Sequence, residues 1–258
     1  MEAAVIATGA TPATLALIDG VIHVGVDEGI LERLARDPTI GKAGTRDIGW
    51  GLATRSTLAT TVGSSLTIAH SAGIQVLATG GIGGVHRGAE DTGDVSNDLW
   101  TLARTPVVTV CSGIKSILDV PRTLEYLETV GVPLVGYGTN VLPDFYCRES
   151  AHSVPAVDGA ETVAHMVRAQ AAIGLDTGII VANPPPVDSA LDRTELDALV
   201  EAGVQEAQRE GVRGKAVTPF MLRHIADQTS GRSVRVNTDL LVSNARVASE
   251  IALAISAL

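Results

Sequence analysis

Apolar and polar positions near the start of the chain follow the pattern of a β-hairpin. Two apolar runs, residues 14–18 and 21–25, flank Asp19-Gly20, a dipeptide typical of two-residue hairpin turns. Residues 27–37 then have the spacing of a short amphipathic helix. The sequence therefore predicts an N-terminal hairpin followed by a short helix.

Strand-like and helix-like segments alternate over the rest of the chain. Strands are predicted at residues 57–62, 74–78, 107–111, 134–136 and 178–182. Helices are predicted at residues 1–8, 64–72, 97–104, 116–130, 160–173, 192–210, 218–228 and 238–257. Such alternation favours a mainly parallel sheet with helices on both faces. We expect an α/β protein, a single domain over residues 1–258, with the hairpin at one end and a helical C-terminal region.

The composition excludes several classes of protein. The 258 residues are 45% hydrophobic, so a sizeable core can form. The net charge of −10 argues against a nucleic-acid binder, which usually carries a basic stripe. Two cysteines provide neither a disulfide framework nor zinc spacing. Because neither a signal peptide nor a long apolar run is recognisable, a cytoplasmic protein without membrane partners is expected.

Lysine is rare in this chain, which has 16 arginines but only Lys42, Lys115 and Lys215. Each lysine follows a glycine directly or at one remove, and Lys42 lies in a segment, residues 38–51, that is expected to form a loop. Lysine can lose its proton and form a Schiff base, which arginine cannot. Two explanations of this scarcity stay open: a functional role of the lysines, and a codon bias toward arginine.

A glycine-rich segment, residues 79–88, directly follows a predicted strand and ends with His86 and Arg87. Its glycines allow backbone N–H groups to converge on an anion, although a tight connection would have the same composition. It has neither a Walker Gly-Lys-Ser/Thr nor the Rossmann spacing. An anion site and a structural turn both stay open.

An acidic segment follows, and it has two interpretations. Asp94 and Asp98 are four residues apart, so on a helix they would share a face and could meet a divalent cation. Alternatively, Ser96 or Asn97 caps a helix that begins here and Asp98 interacts favourably with its dipole.

Lys115 follows the predicted strand 107–111 and is expected at or near the start of the helix 116–130. A helix N-terminus disfavours a cation, so the pKa of the amine should be lowered and more free amine should be present. A surface lysine at a helix start is the alternative.

Four runs of sequence carry a resemblance to a known family. They are GKAGTRD (41–47), ATGGIGGVHRGAE (78–90), SGIKSILD (112–119) and GKAVTPF (214–220). In this order they resemble the pseudouridine-5′-phosphate glycosidase family, also called the indigoidine synthase A-like family. The similarity extends from about residue 10 to the C-terminus.

The resemblance implies a reversible reaction in which pseudouridine 5′-phosphate and water give uracil and ribose 5-phosphate. The bond between C1′ and C5 is a carbon–carbon bond, and a lysine that matches Lys115 adds to C1′ of the opened sugar. Lys42 matches a second, substrate-binding lysine, whose charge would help to keep the first amine deprotonated. The family's divalent metal, commonly Mn²⁺, is held by an aspartate that matches Asp94.

Other positions match substrate-contacting residues of the family. Ser96, Asn97 and Asp98 match one contact segment, Val62 matches a contact made by strand-end backbone, and His86 matches a histidine near the base. Asn237 matches a late asparagine of the site. The resemblance also implies a homotrimer.

One family motif, an Ala-Leu-Glu-Ser-Thr-like segment whose glutamate is the proton donor, has no counterpart in the sequence. The chain is expected to begin in the helix that follows it. Two alternatives therefore accompany the glycosidase hypothesis: a C-ribosylating synthase that uses ribose 5-phosphate in secondary metabolism, and an inactive truncated homologue.

Overall fold

The computed structural model describes residues 1–212 and 217–258. The N-terminal part contains a four-stranded sheet of order β2-β1-β4-β3. Its strands are β1 (Leu15–Ile18), β2 (Val21–Val24), β3 (Gly41–Ala43) and β4 (Leu58–Thr60). Strands β1 and β2 pair antiparallel, and Asp19 and Gly20 both have positive φ, 50° and 78°, as a type I′ turn requires. The predicted hairpin is confirmed.

A second sheet has five strands in the order β5-β6-β9-β7-β8, and every neighbouring pair is parallel. Its strands are β5 (Val76–Ala78), β6 (Val108–Cys111), β7 (Leu134–Tyr137), β8 (Ala156–Val157) and β9 (Ile179–Ala182). The expected parallel sheet is therefore confirmed, and its carboxyl ends meet along one edge.

Helices connect and flank these strands. They are α1 (Glu2–Ala7), α2 (Glu28–Arg36), α3 (Asp47–Ala53), α4 (Val62–Ser71), α5 (Ala89–Thr92), α6 (Asn97–Leu102), α7 (Val120–Thr129), α8 (Ala160–Ala172), α9 (Arg193–Arg209), α10 (Val217–Gln228) and α11 (Arg232–Ser256). Across residues 1–212 and 217–258, the helices lack the length and apolar character that a membrane crossing needs. Lys215 lies outside the described residues.

The core lies on both faces of the parallel sheet because side chains alternate along its strands. Val110 and Val181 face α8 and the second half of α11, where they pack with Val163, Val247 and Ile251. The opposite face carries a larger cluster from α4, α6, α7, α9 and α10, which includes Leu66, Leu99, Leu127, Leu196 and Ile225. Helices on both faces are thus confirmed.

Two predictions of local structure in the N-terminal part are wrong. Residues 38–51 are not all loop, because they contain β3 and α3. Strand β3 has three residues and pairs with β4, and so short a strand has no readable periodicity. Val62 does not end a strand: Thr61 caps α4 through a capping box with Ser64, and Val62 is the first residue of that helix.

The helix expected at 116–130 begins only at Val120, where the side chain of Asp119 accepts a hydrogen bond from the N–H of Arg122. Pro121 lies in the first turn, where its missing N–H costs nothing. Lys115 therefore lies in the loop before α7 and not at a helix N-terminus. Helix α11 begins at Arg232, six residues earlier than expected.

Candidate active site

Two strand-end loops lie side by side at the carboxyl edge of the parallel sheet. The N–H of Ser112 donates to the carbonyl of Gly80 at 2.8 Å, and the N–H of Ile82 donates to Gly113 at 3.1 Å. The N–H of Lys115 returns to the carbonyl of Ile82 at 3.2 Å. The glycine-rich loop therefore holds the backbone of Lys115 at the edge where ligands bind in open α/β sheets.

Asp98 joins the glycine-rich loop to the start of α4. Its side chain is only 6% exposed, and its two oxygens accept from the N–H groups of Gly63 and Gly83, each at 2.8 Å. Position 83 must be glycine, because a Cβ there would lie 2.7 Å from Asp98 Oδ2 and still closer to Ser96. Asp98 is thus a fixed negative charge inside the site.

Lys115 is mostly buried, and that burial is the main reason why the pKa of its amine is lowered. The carboxylate of Asp98 acts in the opposite sense and raises the pKa, while the charge of Lys42 lowers it further. The net direction agrees with the expectation of a free amine, and the contribution of Lys42 was expected too, but the expected helix dipole was wrong. Desolvation and a neighbouring cation lower this pKa, in place of a helix dipole.

Lys42 reaches the site because β3 lies against the N-terminal end of α4. The N–H of Thr61 and the hydroxyl of Ser64 both donate to the carbonyl of Ala43, at 3.1 and 2.8 Å. Lys42 is exposed, one residue earlier on the same strand. The small N-terminal sheet therefore contributes a cation to a site built on the large one.

The residues expected to bind substrate surround Asp98. Val62 is the first residue of α4 and is 9% exposed. Ser96 caps α6 and accepts from the N–H of Asp98 at 3.2 Å, which agrees with the capping alternative. Asn97 accepts from the hydroxyl of Thr101 at 3.3 Å and lies beside Gly63. The structure thus brings Val62, Ser96 and Asn97 together.

Asp94 and His86 form a separate pair at the outer side of the glycine-rich loop. Nδ1 of His86 is 3.9 Å from Oδ2 of Asp94, and the N–H of His86 donates to the carbonyl of Asp94 at 3.0 Å. Asp94 lies before the cap of α6, so Asp94 and Asp98 do not share a helix face and that hypothesis is wrong. In the part of the chain that the structure describes, no three His, Cys, Asp or Glu residues form a metal-binding group.

Asn237 approaches the site from α11. Its Oδ1 lies 3.2 Å from the position that a Cβ would take at Gly80. A residue far along the chain thus contacts the start of the glycine-rich loop, as the match to a late asparagine implied.

Comparison with known proteins identifies the family. The family model described as indigoidine synthase A like protein matches residues 1–254. This chain belongs to that family. Pseudouridine-5′-phosphate glycosidase of Caldanaerobacter subterraneus subsp. tengcongensis is 47% identical in an alignment of 259 residues, gaps included, that covers 100% of this chain and 84% of the relative. The enzyme of the same name from Chloroflexus aurantiacus is 48% identical in an alignment of 263 residues, gaps included, that covers 100% of this chain and 86% of the relative.

Solved structures of this family share the fold. The prealnumycin C-glycosynthase AlnA, solved in complex with ribulose 5-phosphate, has a TM-score of 0.93 and 39% identity, covering 99% of this chain and 85% of its own. An indigoidine synthase A-like protein from Thermotoga maritima has a TM-score of 0.90 and 37% identity, covering 97% and 82%. The α/β architecture is therefore that of the indigoidine synthase A-like proteins.

Asn244 is the first of two polar residues of this indigoidine synthase A-like chain that the sequence analysis did not predict to lie at the site. It is fully buried on α11, and its amide donates to the carbonyl of Thr79 at 2.9 Å and to the hydroxyl of Ser112 at 3.1 Å. Its oxygen accepts from Asn183 at 2.9 Å. One side chain thus ties together the ends of β5, β6 and β9, and an asparagine at a core position of a helical pattern was the available signal.

Asp144 is a second missed residue, in the segment 138–158 that was expected to cover a site. It is 8% exposed, and its Oδ1 has no hydrogen-bond partner among the described residues. Burial raises the pKa of its carboxyl, although the charge of Arg193 acts to lower it. The hydroxyl of Ser116 donates to the backbone carbonyl of Asp144 and not to its carboxyl group. Folding therefore favours the protonated form of Asp144 more than the unfolded chain does.

We expect Asp144→Asn to gain stability relative to the unmodified protein as pH rises from about 4 to 7. A carboxyl whose pKa is raised by folding makes its full contribution to the free energy of unfolding only when the pH is below its ordinary pKa of 3.8. That contribution is lost as pH rises through the folded-state pKa. Urea unfolding across this range measures the difference in the free energy of unfolding.

Asp37→Asn is the control of opposite sign, because a hydrogen bond from the side chain of Thr39 lowers the pKa of that exposed carboxyl. Relative to the unmodified protein, this variant should lose stability as pH rises through the lowered pKa toward the ordinary value of 3.8, and should change little from there to about pH 7. A parallel trend in the two variants would contradict the assignment for Asp144.

Proposed function

We propose that this protein is a C-glycosidase that reversibly cleaves pseudouridine 5′-phosphate to uracil and ribose 5-phosphate through an adduct between Lys115 and C1′. The observation that carries the proposal is the buried amine of Lys115, whose pKa is lowered and which lies within the electrostatic reach of Asp98 and Lys42. Relatives at 47 and 48% identity over the whole chain carry the name of this activity.

The chemistry needs a nucleophile because a carbon leaving group cannot depart after simple protonation of an oxygen or nitrogen. The nitrogen of Lys115 bonds to C1′ as the C1′–O4′ bond of the ribose ring breaks, and O4′ takes that electron pair and a proton. The lone pair of the nitrogen then forms a C=N bond while the C1′–C5 bond breaks, and C5 of uracil takes up the electron pair and a proton. The imine that remains is hydrolysed by water, which releases ribose 5-phosphate and regenerates the amine. An amine that is neutral near pH 7 performs the first step most readily.

The neighbouring residues supply charge and contacts. Lys42 adds positive charge that lowers the pKa of the Lys115 amine and is suited to bind the substrate. Asp98 fixes the N–H groups of Gly63 and Gly83, so the contact residues Val62, Ser96 and Asn97 keep their places. In this proposal His86 contacts the uracil base. Asn237 contacts the substrate from the side of the glycine-rich loop.

Asp94 is the residue that would hold a divalent cation, Mn²⁺ in this proposal. A carboxylate is a suitable ligand for a hard divalent ion, and half-exposed Asp94 would leave room for further oxygen ligands. When bound, such an ion supplies positive charge for the phosphorylated substrate. The nearest ring nitrogen, Nδ1 of His86, lies 3.9 Å from this carboxylate.

Removal of divalent metal with EDTA is expected to abolish cleavage, and added Mn²⁺ should restore it. Asp94→Asn should raise the Mn²⁺ concentration needed for half-maximal activity by at least about 10-fold. Direct titration of Mn²⁺ by calorimetry gives a second measurement. Full activity in EDTA, or equal Mn²⁺ affinity in the variant, would contradict this part of the proposal.

The test of the function is release of uracil from pseudouridine 5′-phosphate in the presence of Mn²⁺. A second candidate is a C-ribosylating synthase, favoured by the fold shared with a C-glycosynthase solved in complex with ribulose 5-phosphate. An adduct with ribose 5-phosphate, trapped by borohydride, without uracil release would favour the synthase. Absence of both products would indicate an inactive homologue.

We also propose a cytoplasmic homotrimer, which the family resemblance supports. Light scattering of the purified protein measures its mass, and a monomer or dimer would contradict the proposed assembly.

A further inference from the structure

The segment 143–145 contacts the chain on both sides of Lys115. The N–H of Phe145 donates to the carbonyl of Ser112 at 2.9 Å, and the hydroxyl of Ser116 donates to the carbonyl of Asp144 at 2.9 Å. The carbonyl of Pro143 occupies the space where a Cβ at Gly113 would be. Ser112 and Gly113 before Lys115, and Ser116 after it, therefore lie against the neighbouring segment 143–145.

The ring of Phe145 holds the glycine-rich loop as well. It lies 2.6 Å from the position that a Cβ would take at Gly81, and the residue is only 4% exposed. Its φ is 51°, a left-handed conformation that is rare for a bulky residue and persists where the surrounding packing fixes it. The segment 143–145 thus packs against both the loop that contains Lys115 and the glycine-rich loop that holds its backbone.

We propose that Ser116 and Phe145 are positioning residues that keep the amine of Lys115 out of bulk water and within reach of Asp98. This inference rests on the proposed role of Lys115 and adds the device that fixes it. The N–H of Lys115 has its partner in Ile82, but nothing in that one bond fixes the rotation of the loop between residues 112 and 116. The hydroxyl of Ser116, which is 6% exposed, closes the loop on the other side of the lysine.

Loosening this contact has two consequences that ordinary destabilisation lacks. Water gains access to the amine of Lys115, and its pKa rises toward the ordinary value of a lysine. This follows because desolvation is the main cause of the lowered pKa. The nucleophile also loses its orientation, which lowers kcat more than it raises KM, since the substrate contacts lie elsewhere.

Ser116→Ala tests the proposal, and Ser249→Ala is its matched control. Ser249 is a buried serine on α11 whose hydroxyl also donates to a backbone carbonyl, that of Ala245 at 2.8 Å. The pH dependence of acetylation at Lys115 is followed by mass spectrometry, which needs no substrate and has only three lysines to resolve. Ser116→Ala should shift the titration to higher pH and lower kcat by about 10- to 100-fold, while Ser249→Ala should leave both unchanged.

Phe145→Leu provides a second variant, because it removes the flat ring and keeps a buried apolar side chain. The same upward shift of the Lys115 titration is expected. Unchanged titration in both Ser116→Ala and Phe145→Leu would overturn the positioning role, whether or not the unmodified protein cleaves pseudouridine 5′-phosphate. If the titration shifts but the unmodified protein neither releases uracil nor forms an adduct, the proposed function fails and the positioning of the amine stands.

Discussion

Replacing Lys115 by arginine is expected to lower kcat for uracil release by about 10⁴-fold or more, as loss of a covalent nucleophile does in other enzymes. Arginine is also a long basic side chain, but it does not lose its proton and cannot form the adduct. Steady-state assays with pseudouridine 5′-phosphate measure kcat, and borohydride trapping with ribose 5-phosphate measures adduct formation by mass.

Lys42→Arg is the matched substitution for this experiment. It preserves the cation that lowers the pKa of Lys115, so an adduct at Lys115 should still be trapped even where substrate binding is weakened. Cleavage retained in Lys115→Arg, or an adduct found on another lysine, would refute the assignment of the nucleophile.

Asp98→Asn is expected to destabilise the fold by about 2–4 kcal/mol. The carboxylate is buried and accepts from two backbone N–H groups, those of Gly63 and Gly83. An amide can accept only one of these, and its NH₂ group would face the other donor. Urea unfolding of the variant and the unmodified protein at pH 7 gives the difference in the free energy of unfolding.

The same substitution should move the pKa of Lys115 further down, because the charge of Asp98 is what raises it. Acetylation of Lys115 as a function of pH measures this shift in the folded protein. Asp91→Asn is a suitable comparison, because Asp91 is an exposed aspartate of α5 and its replacement should change neither quantity appreciably. Equal stability of Asp98→Asn and the unmodified protein would contradict the bridging role of Asp98.

Features encoded by residues close together in sequence could be predicted from the sequence. The Asp19-Gly20 hairpin, the alternation of strands and helices and the cap at Ser96 all depend on neighbours within a few positions. The rarity of lysine also pointed to Lys115. In contrast, β3 was missed because three residues carry no periodicity and the strand exists only through its pairing with β4.

The sequence by itself determined the parallel α/β fold, the family and the position of the lysine, because those depend on local pattern and on motifs that read continuously. Only the tertiary structure decided the state of that lysine. Its amine is deprotonated more easily because folding buries it and brings Lys42 near it from a distant part of the chain, and these two effects outweigh the opposing charge of Asp98. Desolvation and electrostatic fields depend on distances in space, and no spacing along the chain specifies them.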